Sequence, residues 1–89
     1  MTEPKFREAC IRLVKAYVNK HLDLSDQYEI NEEQIYVVWV CKTLQNNKAL
    51  LSTDLKDGMY YEITYNGDKK EFYFDAYKKF ENICFKEVE

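Results

Sequence analysis

The N-terminal segment carries apolar residues at helical spacing. They recur every three or four positions and fall on one side of a helical wheel: Phe6, Ala9, Cys10, Leu13, Val14, Tyr17 and Val18. Charged and amide side chains fill the positions between them. Pro4 is tolerated in a first helical turn, and basic residues late in the segment complement the helix dipole. The pattern predicts an amphipathic helix over about 4–22.

The middle of the chain changes to a pattern typical of β-strands. Residues 23–33 are acidic and non-periodic, which predicts a loop. Residues 35–41 are β-branched or aromatic almost throughout, which predicts a central strand covered on both sides. Alternation divides this strand into one face with Ile35, Val37, Trp39 and Cys41 and another with Tyr36, Val38 and Val40. A tight turn over 45–48 then returns the chain, so that 49–53 pairs with 42–44.

An aromatic hairpin follows a second turn at 54–58, where Gly58 supplies positive φ. Its two alternating runs flank Asn66-Gly67, the dipeptide best suited to a type I′ turn. A two-residue loop and a four-residue loop place the same side chains on each face of the hairpin, because the two strand registers differ by an even number of residues. The predicted core face of the hairpin contains Tyr61, Ile63, Phe72 and Phe74.

The C-terminal segment fits two patterns. A helical stripe is formed by Ala76, Tyr77, Phe80, Ile83 and Cys84, with Asp75 as a cap. As a strand, Tyr73, Asp75 and Tyr77 would alternate with Phe72, Phe74 and Ala76. We predict a short helix over about 76–84. The whole is then one α+β domain over residues 1–89: an N-terminal helix, a four-stranded antiparallel meander sheet and a short C-terminal helix, with both helices on one face.

Composition narrows the class of protein. The net charge of −3 over 89 residues argues against general binding to nucleic acid backbones, which needs a basic surface. Three widely spaced cysteines, Cys10, Cys41 and Cys84, do not form the paired framework of a small secreted domain. No apolar run is long enough to span a membrane, and the N-terminus does not resemble a signal peptide. We therefore predict a cytoplasmic protein without membrane contact.

Candidate chemistry is sparse, and we predict no catalytic, cofactor-binding or metal-binding residues. His21 is the only histidine, and Cys10 lies eleven positions earlier on the same helix, roughly 16 Å away. That separation excludes a thiol–imidazole pair between them. The two glycines are too few for a phosphate-binding loop, and the cysteines and histidine lack metal-ligand spacing. The chain is not expected to be an enzyme.

The aromatic residues provide the one functional hypothesis. Tyr60 and Tyr73 lie on the hairpin face opposite the core, and Tyr36 and Trp39 can lie nearby, which makes these four a candidate interaction surface. Aromatic residues are enriched at protein interfaces, and they also stack on nucleic acid bases. The neighbouring acidic residues Glu62 and Glu71 favour a protein partner. A homodimer is a further candidate, and a nucleic-acid-binding module is the alternative.

Three strings resemble a family of small uncharacterised proteins encoded by phages and prophages of Gram-positive bacteria. They are Val38–Thr53 (VWVCKTLQNNKALLST), Asp57–Asp68 (DGMYYEITYNGD) and Asp75–Cys84 (DAYKKFENIC). The resemblance implies a cytoplasmic protein made in an infected or lysogenic bacterial host. It implies no activity and no functional residues. It favours an accessory protein that acts by binding a host or phage protein.

Overall fold

The computed structural model describes residues 1–21 and 29–87. Helix α1 spans Glu3–His21, and a short 3-10 helix spans Glu32–Gln34. Four strands follow: β1 (Ile35–Thr43), β2 (Asn46–Thr53), β3 (Met59–Asn66) and β4 (Glu71–Lys78). They form one antiparallel sheet in the order β1-β2-β3-β4. The prediction of an α+β fold with an N-terminal helix and a four-stranded meander is confirmed.

Helix α1 packs one apolar stripe on one face of the sheet. The stripe consists of Phe6, Cys10, Val14 and Val18, spaced four residues apart and all buried. Opposite it lie the buried side chains Ile35, Ala49, Leu51, Tyr61, Ile63 and Tyr65. The core therefore lies between α1 and the sheet. Of the loop predicted over 23–33, residues 23–28 lie outside the described residues, as does position 22 of the predicted helix.

Strand β1 lies at the edge of the sheet, so the prediction of a central strand covered on both sides is wrong. Its only partner among the described strands is β2. The register shifts between Val37, which pairs with Leu51, and Trp39, which pairs with Leu50. Val38 is therefore the extra residue of a β-bulge. The bulge breaks the alternation, so that Trp39 shares a face with Tyr36 and not with Val37.

The turns differ from their predictions in detail. The β1–β2 turn is Leu44-Gln45, shorter than the predicted 45–48, and Leu44 has a φ of 57°. The β3–β4 connection is a four-residue loop, because Asn66 pairs with Glu71, so the four-residue alternative is confirmed and the type I′ turn at Asn66-Gly67 is wrong. In this loop Lys70 has a positive φ (55°). The Asn66 side chain accepts hydrogen bonds from the backbone amides of Asp68 and Lys69.

The face assignment and the second turn are confirmed. Ile63 pairs with Phe74 and Tyr65 with Phe72, which places both phenylalanines on the helix side of the sheet. Gly58 has a φ of +71°, as its turn requires.

The predicted C-terminal helix is absent, and the strand interpretation is correct as far as Lys78. Ala76 pairs with Tyr61 and Tyr77 with Tyr60, so both belong to the β3–β4 ladder. Residues 79–87 have no regular secondary structure and are exposed. A helix this short is marginal unless it packs on an apolar surface, and residues 79–87 are exposed throughout.

A candidate protein interface on the open face of the sheet

The face of the sheet that points away from α1 is open to solvent. We call it the open face. Its side chains are Tyr36, Val38, Trp39 and Cys41 from β1, Lys48 and Leu50 from β2, Tyr60 and Glu62 from β3, and Glu71, Tyr73, Asp75 and Tyr77 from β4. Several large side chains here keep about half of their surface exposed, including Tyr36 (49%) and Trp39 (41%), whereas Leu50 and Tyr60 are partly buried. Strands present such side chains rigidly, which suits a binding surface.

All four predicted interaction residues lie on the open face, and three of them are close together. The register aligns Tyr36, Ser52, Tyr60 and Tyr77 in one row across the four strands. Neighbouring strands are about 4.8 Å apart, so Tyr60 lies next to Tyr77. Trp39 joins this group because of the bulge. We call Tyr36, Val38, Trp39, Tyr60 and Tyr77 the aromatic cluster.

Tyr73 lies apart from the aromatic cluster. It is four positions from Tyr77 along β4, roughly 13 Å at the rise of a strand, and it pairs with Thr64. Its hydroxyl donates a hydrogen bond to Glu71 Oε2 at 2.5 Å, and this bond raises the pKa of Tyr73. Tyr73 therefore lies outside the aromatic cluster, at the other end of β4.

Two members of the aromatic cluster were missed from the sequence. Tyr77 was assigned to a helix, although the alternation of Tyr73, Asp75 and Tyr77 in the strand interpretation carried the correct signal. Val38 was assigned to a covered face. The bulge that exposes it has no signature in the β1 sequence, because it depends on the pairing with Leu50.

The charges on the open face are predominantly acidic. Lys48 Nζ lies 3.0 Å from Glu62 Oε1, and the hydrogen bond to Glu62 raises the pKa of Lys48. Glu71 and Asp75 also point outward from β4. Three carboxylates against one ammonium favour a partner with basic residues around an apolar centre, and they disfavour the backbone of nucleic acids.

The helix side of the sheet contains a shallow cleft of about 210 Å³ next to His21. Tyr17, Val18, Asp57, Met59 and Tyr61 complete its lining. His21 Nδ1 lies 2.8 Å from the Tyr17 carbonyl oxygen, which fits donation by Nδ1, and the two rings stack. The ring is therefore fixed against the last helical turn. The cleft brings an imidazole and a carboxylate together without a thiol.

The cysteines are distributed over different parts of the fold. Cys10 is buried in the core, where desolvation raises its pKa to about 12, so it stays protonated at neutral pH and is a poor nucleophile. Cys41 is exposed on the open face, on the opposite side of the sheet from His21. Cys84 is exposed beyond β4.

Two negative findings apply to residues 1–21 and 29–87. No group of three or more His, Cys, Asp or Glu side chains is arranged to hold a metal ion there. No helix in those ranges combines the length and apolar character needed to cross a membrane.

Comparison with known proteins identifies a family without assigning an activity. The sequence matches a family of unknown function (DUF6275) over residues 7–87, so the chain belongs to this family. No curated protein and no solved structure matches the chain.

Proposed function

We propose that this DUF6275 protein acts by binding another protein through the open face, without catalysing a reaction. The observation that carries the proposal is the aromatic cluster, which groups three tyrosines and the only tryptophan of the chain on an exposed, regular sheet. Tyrosine and tryptophan are the side chains most enriched at the energetic centres of interfaces. Two χ angles limit the entropy that each loses on binding.

The charge pattern defines the chemistry of the partner. The aromatic cluster would form the apolar centre of the contact, and the nearby carboxylates of Glu62 and Asp75 would form an acidic rim. A complementary surface has an exposed apolar patch bordered by lysine or arginine. Because rim charges act mainly on the association rate, binding should become slower as salt is raised.

The proposed binding would take place in a bacterial host cell. This is supported by the resemblance of three segments to proteins of phages and prophages: Val38–Thr53, Asp57–Asp68 and Asp75–Cys84. In that setting the chain is an accessory protein in the cytoplasm of a Gram-positive host, and its partner is a host or phage protein.

Site-specific photo-crosslinking in such host cells tests the proposal. A benzophenone amino acid placed at Tyr36 should give a covalent adduct with the partner. The matched control is Arg12, which is exposed on α1 on the other side of the sheet, and it should give none. Absence of an adduct at Tyr36, or the same adduct from both positions, would refute binding through the open face.

Two substitutions extend the test once the partner has been captured. Trp39→Ala and Tyr60→Ala should each weaken binding about tenfold or more, because central aromatic side chains carry most interface energy. The free energy of unfolding should change little for Trp39→Ala, whose side chain contacts solvent. A large stability loss with Trp39→Ala would instead make it a packing residue.

The alternative function, nucleic-acid binding, makes a different prediction. Aromatic stacking on a sheet can bind single strands, but it normally works with basic residues, and the open face is acidic. A gel shift at low salt with single- and double-stranded nucleic acid should therefore show no complex at micromolar protein. A clear shift that Tyr36→Ala abolishes would replace the proposed function by this one.

A further inference from the structure

The last strand and the residues after it form a second exposed apolar surface, at the opposite edge of the sheet from Trp39. Strand β4 pairs with β3 on one side, and its other edge has no neighbour among the described strands. Residues 79–87, which we call the tail, continue from it. Three large apolar side chains of the tail are exposed: Phe80 (98%), Ile83 (56%) and Phe85 (85%).

The two edges of the sheet differ in their protection against pairing with another chain. The β1 edge carries the bulge at Val38, a feature that interrupts regular pairing. The β4 edge pairs with β3 over eight residues without a register shift and contains no proline. Glu71, Asp75 and Lys78 are charged, but the length and unbroken register of β4 leave a row of backbone groups that another strand can pair with.

The tail is anchored at its start and exposed beyond it. The Lys79 amide donates a hydrogen bond of 2.7 Å to the Gly58 carbonyl oxygen, which fixes the direction in which the chain leaves the sheet. From Phe80 onward every described side chain is exposed. Exposed apolar side chains grouped in this way are typical of a surface that binds another molecule.

The size of the chain indicates how much surface is left uncovered. It exposes 7024 Å². A compact monomer of 10.8 kDa is expected to expose about 5,500 Å². The excess of about 1,500 Å² exceeds the roughly 800 Å² per partner of a standard interface. The radius of gyration, 15.2 Å, is also larger than the roughly 12 Å expected for a compact chain of this length.

We propose that a second copy of this chain covers the surface formed by the β4 edge and the tail. The two β4 strands pair antiparallel across a twofold axis perpendicular to the sheet, which gives a continuous eight-stranded sheet with both α1 helices on one side. This contact is isologous, as in most homodimers. It is compatible with the proposed function, because it pairs the backbones of the two β4 strands and leaves the open face uncovered, with Tyr36 and Trp39 on the far strand β1.

The antiparallel arrangement also gives each tail a place to bind. The C-terminal end of one β4 lies beside the N-terminal end of the other, so each tail leaves next to Phe72 of the partner subunit. Phe72 is 37% exposed on the helix side, and its ring lies 4.8 Å from Tyr65 and 6.4 Å from Phe6 between centroids. Phe80 of one copy would extend this aromatic group in the other.

Light scattering during size-exclusion chromatography of the full chain tests the proposal. The wild type should have twice the mass of the 10.8 kDa chain at micromolar concentration. Two changes should each raise the dimer dissociation constant about tenfold or more: Phe80→Ser with Phe85→Ser, which removes apolar contact, and Ala76→Lys, which places a long charged side chain on the pairing edge strand. Leu44→Ser is the matched control, because Leu44 is an equally exposed apolar residue (83%) away from β4, and it should remain dimeric.

Three results would overturn the proposal: a monomeric wild type, a dimer that persists in both kinds of variant, or a dimer lost with Leu44→Ser. If Ala76→Lys unfolds, the tail variant decides, because its side chains pack on nothing in the single chain. Quenching of Trp39 fluorescence by acrylamide should be equal in the wild-type dimer and the monomeric tail variant. Protection of Trp39 in the dimer would place the contact on the open face and refute the β4 edge.

Discussion

Asn47 is a polar side chain enclosed in the core. It is 1% exposed on β2, between Lys42 and Tyr65 in the register. Neither its amide nitrogen nor its amide oxygen has a hydrogen-bond partner among the described residues. A buried amide without partners lowers stability by about 1–3 kcal/mol. At the scale of single residues, this position is therefore the clearest departure from good packing.

Replacing this amide by an apolar side chain of similar size should stabilise the protein. We expect Asn47→Leu to raise the free energy of unfolding by about 1–2 kcal/mol, because it removes a desolvated polar group. Urea denaturation of the variant and the wild type measures the difference. Asn47→Asp is the control and should lower stability, because it buries a charge. A less stable Asn47→Leu variant would show that the amide is paired in solution.

The candidate interface shows which residues a sequence can reveal. The alternation of side chains along a strand places Tyr60 and Tyr73 on the face opposite the core, as the structure has them, whereas it places Tyr36 on a strand covered on both sides. Trp39 was selected as an interaction residue but assigned to the wrong face of β1. The error has one cause, the bulge at Val38, which depends on how β1 pairs with β2 and not on local composition.

At the scale of elements, the β1–β2 turn and the β3–β4 loop are in direct contact. The Gly67 amide donates a hydrogen bond of 3.2 Å to Asn46 Oδ1 at the start of β2. A Cβ atom at Gly67 would overlap the Gln45 carbonyl oxygen and lie 2.9 Å from the Gln45 Cβ. Glycine is therefore required at 67 for the close approach of the two connections and not for a positive φ.

Substitution of Gly67 and Gly58 separates the requirement for a close backbone approach from the requirement for a positive φ. Gly67→Ala should lower the free energy of unfolding by about 1–3 kcal/mol, because backbone atoms of Gln45 must move. Gly58→Ala should lower it by about 1 kcal/mol, because the added Cβ has ordinary contacts and the penalty is the positive φ alone. Thermal denaturation of both variants provides the comparison. A harmless Gly67→Ala would contradict the contact between the connections.

The elements were predictable where a local pattern was sufficient. The helical period of Phe6, Cys10 and Val14 identified α1, and the alternation of Tyr61 and Ile63 identified the core face of β3. The segment after Asp75 fits both the period of a helix and the alternation of a strand. Pairing of Ala76 with Tyr61 decided for the strand, and this long-range contact is not encoded in the segment itself.

At the scale of the whole molecule, the chain is one helix on one face of a four-stranded sheet. The apolar stripe of α1 covers the inner face, and no second helix covers the outer one in the described ranges. Part of the aromatic content is thereby left in contact with solvent on the open face and in the tail. Both proposals follow from this asymmetry, one for each exposed surface.

Quenching of Trp39 fluorescence in the isolated protein tests most directly whether the open face is uncovered. Trp39 is the only tryptophan, so the whole tryptophan signal reports on this face. We expect emission typical of a solvent-exposed indole and efficient quenching by iodide, because the side chain is 41% exposed and lies away from the β4 edge. Blue-shifted emission that iodide does not quench would show that the face is covered, and the account of an open binding surface would be wrong.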